Sequence, residues 1–242
     1  IYEDEYTTVD SNMSDSNVGS RRKRNHRNNL FILYAIINYV LKNKNSKPID
    51  LQIYDIEKMF DKINLKGAIN DLWDSSVQND NLVILYELNK NNIAVVRTPI
   101  DDTDQIELDE NVLQGGSWGP LKTSNQMDTI GKESLREGEH VYMYQGVVPI
   151  CVLEMVDDTL GISECGADSI ETNAYLNTKV EMKNLKFGLN KNGKASKCHH
   201  IHVGKPIPFC PDLKAHNVTI EKVDVDTSVS YTHLTLPTTP YV

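Results

Sequence analysis

Cysteine is scarce. Four residues in 242, Cys151, Cys165, Cys198 and Cys210, do not make a disulfide scaffold. A reduced intracellular setting is the default for such a chain, and no secretory signal opens it. Long apolar runs are also missing. The one membrane candidate, LFILYAIINYVL at residues 30–41, is far shorter than the roughly 20 residues a spanning helix needs, so it reads as a buried helix. There is no internal repeat and no long low-complexity tract. What is present is ordinary for a globular protein: 39% hydrophobic and 24% charged residues, in a length that allows one large domain or two small ones. The net charge of −9, taken alone, argues against a nucleic-acid binder. The charge is uneven, however. RRKRNHR at residues 21–27 is strongly basic and DDTDQIELDE at 101–110 strongly acidic, and local clusters outweigh the sum in deciding what a groove attracts.

Patterning predicts the elements. A helix over about residues 29–42 carries apolar residues on most faces, which predicts cover on several sides. IDLQIYDI at 49–56 alternates and predicts a strand. A helix over about 62–76 places Leu65, Ala68, Ile69 and Leu72 at helical spacing. LVILYEL and NIAVVRT read as strands of a meander, with the acidic segment as a hairpin connection. QGGSWGP is a Gly-rich loop into a helix, whose first turn Pro120 suits. Residues 141–163 read as strand, turn, strand, turn, strand. TNAYLNTKVEMKNLKFGL reads as a helix ending at Gly188, and CHHIHVG as a further strand. This order implies an α+β fold with a mostly antiparallel sheet.

Two acidic sites carry the chemistry. Asp55 stands at the end of the predicted strand in YDIEKMFD, and Asp157 and Asp158 sit in a tight connection between strands in LEMVDDTLGI. Side by side, the two strands would bring these carboxylates together, which is what two-ion phosphoryl transfer requires. Small, hard Mg²⁺ takes carboxylate oxygen. An acidic pair by itself is more often a plain turn, because Asp tolerates turn geometry.

Three segments in order, YDIEKMFD, LQGGSWGP and MVDDTLGI, resemble motifs A, B and C of reverse transcriptases, in particular those of non-LTR (LINE-type) retrotransposons. Asp55 with Lys58, Phe60 and Asp61 matches motif A. Gln114, Gly115 and Pro120 match motif B, and Asp157–Asp158 match motif C. MSDSNVGSRRKRNHRNNLFIL resembles the fingers-to-palm segment and LKFGLNKNGKASKCHHIHVGK motif D, with Lys197 as its lysine. The resemblance implies a right-hand polymerase palm: an antiparallel sheet with helices packed on one face, partial fingers at 1–48, palm at 49–228 and no thumb. It implies an RNA-directed DNA polymerase using two Mg²⁺ ions (Mn²⁺ as a substitute), an RNA template, a DNA primer and dNTPs. It also implies residence in nucleus and cytoplasm, with no membrane partner. Asp55 and Asp157 would hold both ions with the Ile56 carbonyl, and Asp158 would support them. Phe60 would lie under the incoming sugar, Gln114 and Gly115 would line the nucleotide and template pocket, and Lys197 would sit near the triphosphate. Beside these motifs, the basic cluster with Arg21 and Arg24 reads as a contact to template phosphates.

The chain opens without an initiator Met and reads as a piece of something longer. Its last residues, VSYTHLTLPTTPYV at 229–242, resemble the in-frame translation of a transposase-based sequencing-library adapter. Two other readings stand beside the polymerase. One is a truncated remnant that binds nucleic acid without catalysis. The other is a zinc-binding module at residues 198–216, where Cys198, His199, His200, His202, Cys210 and His216 supply ligand types without any C-x-x-C pair. On a strand, His199 and His200 would point to opposite faces.

Overall fold

The computed structural model describes residues 2–19, 21, 23–108, 119–137, 140–156, 158–188, 198–215 and 218–223. In chain order these form α1 (Tyr2–Asn12), α2 (His26–Lys42), β1 (Ile49–Asp55), α3 (Met59–Lys62), α4 (Leu65–Asp74) and α5 (Asn79–Asn89). Next come β2 (Asn92–Ala94), β3 (Ile106–Leu108), α6 (Gly119–Glu137), β4 (Tyr142–Tyr144), β5 (Val148–Ile150), β6 (Val152–Met155) and β7 (Asp158–Glu164). The rest are α7 (Ala167–Met182), β8 (His199–Val203), β9 (Lys214–Ala215), β10 (Val218–Thr219) and β11 (Glu221–Val223).

The main sheet runs β11-β8-β1-β7-β6, with β1 at its centre. Its pairs are antiparallel except for the parallel edge pair β11–β8. The expected α+β fold with a mostly antiparallel sheet is therefore present. The alternation that predicts β1 has a different cause from a solvated face, because both faces of this strand are covered. Ile49 and Leu51 join Leu33, Ile36, Ile37 and Val40 of α2, with Leu160, Ile162, Ile201 and Val203 from the flanking strands. The opposite face meets α6 and α7 through Tyr54, Met127, Ile130, Val152, Leu176 and Val180. Asp50 and Gln52 lie on that second face, fully buried. Gln52 donates to the carbonyl of Ser169 at 3.0 Å and accepts from the Tyr54 hydroxyl at 2.7 Å, and Asn173 donates to that hydroxyl at 2.6 Å. A buried polar side chain is tolerated when its hydrogen bonds are made, which is how Gln52 fits a central strand.

Several expectations are corrected. LVILYEL is not a strand but part of α5. Leu82 and Leu85 are buried three residues apart, while Val83, Ile84 and Leu88 are exposed; a continuous apolar run cannot distinguish the two periodicities. The helix α2 is covered along one face only, with Phe31, Tyr34 and Leu41 exposed. It lies across the sheet from α6 and α7, so helices cover both sides of the main sheet and not one face alone. The helix expected to end at Gly188 begins earlier, after Gly166, and stops at Met182. The residues after it turn back extended, with Phe187 bridged to Ile56. Finally, α1, which no apolar period announces, packs Tyr6 and Val9, with Met13 just after it, against Leu72, Leu82, Leu85 and Leu121.

Candidate active site

The hairpin of β6 and β7 is as tight as the sequence requires. Met155 pairs with Asp158, which closes the connection between the two strands. Val156 adopts φ 58°, a left-handed conformation that a β-branched residue rarely takes. Asp158, the first residue of β7, faces Asp55, the last residue of β1, in register. Directly opposed residues of an antiparallel pair share a face, with Cα atoms about 4.5–5.5 Å apart. Asp158 is buried and Asp55 half-buried. Two carboxylates placed this way repel each other, and oxygen donors converging at a strand end suit a hard divalent cation.

The backbone beyond Asp55 is held from one side. The N–H of Gly188 donates to the Asp55 carbonyl at 2.6 Å, and the N–H of Glu57 donates to the Lys186 carbonyl at 2.8 Å. A Cβ on Gly188 would lie 2.7 Å from an Asp55 carboxylate oxygen, so this glycine leaves the carboxylate its room. Lys58 then turns through φ 50° into α3. Phe60 on α3 is half-buried and belongs to none of the three apolar clusters, whereas its neighbours Met59 and Ile63 do.

Part of the segment that resembles the fingers-to-palm stretch braces the hairpin. Residues 14–19 run beside β6. The Val18 N–H donates to the Glu154 carbonyl and the Glu154 N–H to the Ser16 carbonyl, both at 3.0 Å. Asn17 reaches across to the Ser124 carbonyl of α6 at 2.8 Å, and Asn29 of α2 donates to the carbonyls of Ser16 and Glu154. Arg21 fastens this loop. Its guanidinium pairs with Asp10 at 2.8 Å and donates to the carbonyls of Ser14, Asn17 and Asp10. Only 6% of its side chain is exposed. Arg21 is thus turned inward, held by four acceptor atoms of three residues, Asp10, Ser14 and Asn17. Arg24 is paired with Asp15 at 2.5 Å near the surface. Asp157, Gln114, Gly115 and Lys197 lie outside the described residues, as does the tail at 229–242.

Two further groups near these elements were missed because no motif marks them. The first turns of α6 bury Lys122, Thr123, Ser124, Asn125 and Gln126 in place of an apolar stripe. Burial lowers Lys122 to a pKa of about 8. The only sequence signal is a helix start with polar residues where a core stripe belongs. On β6, Glu154 is fully buried and its oxygens make no hydrogen bond of ordinary geometry among the described residues. Burial, reinforced by the Asp128 carboxylate, raises its carboxyl well above the ordinary range. The folded chain therefore holds a proton there that the unfolded chain releases. The associated stability is present below the ordinary carboxylate pKa and is lost as the pH rises through the raised one. Glu154→Gln keeps the shape without that penalty. Its expected effect is a melting temperature raised by about 2–4 °C or more near neutral pH, and little change near about pH 4. Thermal melts at both pH values check it, and an equal shift at both would remove the titration as the cause.

No protein-family model matches the chain, and no curated protein does. Solved structures do. Apo telomerase from Candida tropicalis, truncated from its C-terminal domain, superposes with a TM-score of 0.55 at 12% identity, over 91% of this chain and 43% of that one. Telomerase from Candida tropicalis with the TWJ fragment of telomeric RNA gives 0.58 at 13%, over 83% and 32%. Telomerase from Candida albicans with the same kind of fragment gives 0.52 at 8%, over 91% and 36%. The fold is reverse-transcriptase-like. This chain spans well under half the length of the telomerase chains it matches. Among the described residues no helix is long and apolar enough to cross a membrane.

Proposed function

We propose that the chain is the palm, with part of the fingers, of the reverse transcriptase of a non-LTR (LINE-type) retrotransposon. Residues 1–48 are fingers and 49–228 carry motifs A to D, while 229–242 are adapter translation. The observation that carries the reading is the register of Asp55 against Asp158, where the Met155–Asp158 pair closes the β6–β7 hairpin. The retrotransposon assignment rests on the motif residues themselves, since a fold likeness at 8–13% identity does not choose between polymerases of this class. Asp55 and Asp157 hold two Mg²⁺ (or Mn²⁺) with the Ile56 carbonyl, and Asp158 adds negative charge beside them. What such ions supply is activation of the primer 3′-hydroxyl and charge neutralisation at the dNTP α-phosphate. Phe60 lies under the incoming sugar, Gln114 and Gly115 line the nucleotide and template pocket, and Lys197 faces the triphosphate. Arg21 and Arg24 contact template phosphate; in the free chain Arg24 is paired with Asp15 and Arg21 with Asp10. The protein acts on an RNA template and a DNA primer, in nucleus and cytoplasm.

The test is nucleotide incorporation on poly(rA) with a DNA primer. It is run on the chain and on any longer reading frame that contains it, each beside its Asp157→Ala variant. The active species incorporates dTTP in Mg²⁺ or Mn²⁺ and the variant loses this by roughly 10³-fold, the scale of several kcal/mol of lost charge stabilisation. Equal incorporation by the variant would sink the assignment.

A further inference from the structure

The far end of the palm sheet carries a second cluster of donors. Asp50 stands at the other end of β1 from Asp55, five residues and so about 17 Å away along the strand. Its carboxylate is fully buried, and Oδ2 has no hydrogen-bond partner among the described residues. Around Oδ1 stand Cys165 Sγ at 3.1 Å and His202 Nδ1 at 3.1 Å, and these two atoms are 3.2 Å from each other. The three donors come from three neighbouring strands: β1, the residue following β7, and β8. His200 and Cys210 also stand near this carboxylate, with His200 Nε2 3.2 Å from Oδ1.

The protons at this triangle do not satisfy it. His202 Nε2 is 3.0 Å from the Lys205 carbonyl, which only accepts, so in a neutral ring Nε2 carries the proton. Nδ1 then presents a lone pair to a carboxylate oxygen and a sulfur. A single S–H is left to serve two acceptor atoms, Asp50 Oδ1 and His202 Nδ1, which lie 3.1 Å apart and each within 3.2 Å of the sulfur. A cation at their centre removes the shortfall. The spacing suits one, because two donors on a tetrahedral zinc, with bonds of about 2.0–2.3 Å, lie about 3.3–3.7 Å apart. The donor set is also selective: one thiolate, one imidazole and one carboxylate suit zinc, whereas Mg²⁺ asks for oxygen alone. The Lys205 carbonyl behind His202 is the kind of outer partner that fixes a ligating imidazole.

We propose that Asp50, Cys165 and His202 form a zinc site that ties β7, β1 and β8 together at the end of the palm sheet away from the Asp55 hairpin. It differs from a module built on residues 198–216 alone. Cys198 is buried in the apolar cluster with its sulfur near the Gly188 carbonyl, and His199 faces the opposite side of β8 from His200 and His202. His202 is 24% exposed, so the triangle opens to solvent, and a water can complete the coordination.

The test uses the whole chain, loaded with Zn²⁺ alone, freed of excess and analysed for metal. About one tightly held zinc per folded chain is expected, with X-ray absorption reporting one sulfur in an otherwise nitrogen and oxygen shell. Cys165→Ser and His202→Ala lower zinc affinity at least about tenfold, while His199→Ala and Asp55→Asn retain it. Replacing zinc with Co²⁺ gives a thiolate-to-cobalt absorption band that Cys165→Ser removes, with circular dichroism confirming that the variant is folded. The proposal is overturned by a folded wild-type chain that retains no zinc or by a shell without sulfur. It is equally overturned if Cys210→Ser abolishes binding while Cys165→Ser keeps it. The sulfur in the wild-type shell decides the matter even if a variant does not fold. Because zinc is measured directly, failure here leaves the polymerase reading untouched, and an inactive polymerase leaves the zinc site standing.

Discussion

Asp55→Asn is expected to lower nucleotide incorporation by about 10³-fold and, in the absence of divalent cations, to leave the protein slightly more stable than wild type. The two effects have one origin. Asp55 and Asp158 face each other in register at the ends of β1 and β7. Like charges directly opposite on an antiparallel pair destabilise by about 0.2–1 kcal/mol. Asn is nearly the same size, fits beside Gly188 and removes one of the charges. For a domain of this length, the relief amounts to about 1–3 °C in melting temperature. Adding Mg²⁺ reverses the order, since the wild type binds the ion in its folded state and is stabilised by it, while the variant gains less. Melting curves with and without Mg²⁺, set beside incorporation rates, test this directly. A variant that loses both activity and stability in metal-free buffer would show that Asp55 serves the fold.

The parts of the site legible in the sequence are those fixed by local rules. An alternating run ending in Asp, a Gly-rich loop ahead of a helix-starting Pro, and two acidic residues between apolar runs are each set within a few positions. The structure makes β1, α6 and the β6–β7 hairpin out of them. What brings Asp55 to Asp158 is a pairing across more than a hundred residues; only the order of the motifs hinted at it. Other features were not legible, for identifiable reasons. The run LVILYEL has no period, so strand and helix were equally compatible with it until Leu82 and Leu85 found a common face. Arg21 sits in a basic cluster that suggests phosphate, but its partners are mostly backbone carbonyls, and no pattern of residue types foretells those. Asp50 reads as the polar half of an alternating strand. Its significance depends on Cys165 and His202, supplied by neighbouring strands distant in sequence.

Gly19→Ala is expected to be the most damaging single methyl in the protein's hairpin region. This glycine is not needed for its dihedral, because it is not among the positive-φ positions. It is needed for space. A Cβ there would stand 2.4 Å from the backbone nitrogen of Val156, 2.9 Å from the Ser124 hydroxyl and 3.1 Å from a Val156 methyl. A flexible side-chain end could move aside, but the Val156 nitrogen cannot. Its residue follows Met155, which is clamped to Asp158, and is already held at φ 58°. The added methyl therefore displaces either residues 14–19 or the end of β6 at Val156. Overpacking of this kind costs about 1–3 kcal/mol, and a shift of about 1 Å at reacting groups lowers rates by roughly 10²-fold. Gly67→Ala provides the contrast. It lies within α4, where a new Cβ meets nothing closer than 3.9 Å, so it should stabilise by about 0.5–1 kcal/mol and leave incorporation unchanged. Chemical denaturation and primer extension on the two variants decide the point. If Gly19→Ala matches Gly67→Ala in both, the loop at 14–19 does not brace the hairpin, and the placement of the acidic turn must come from β6 and β7 alone.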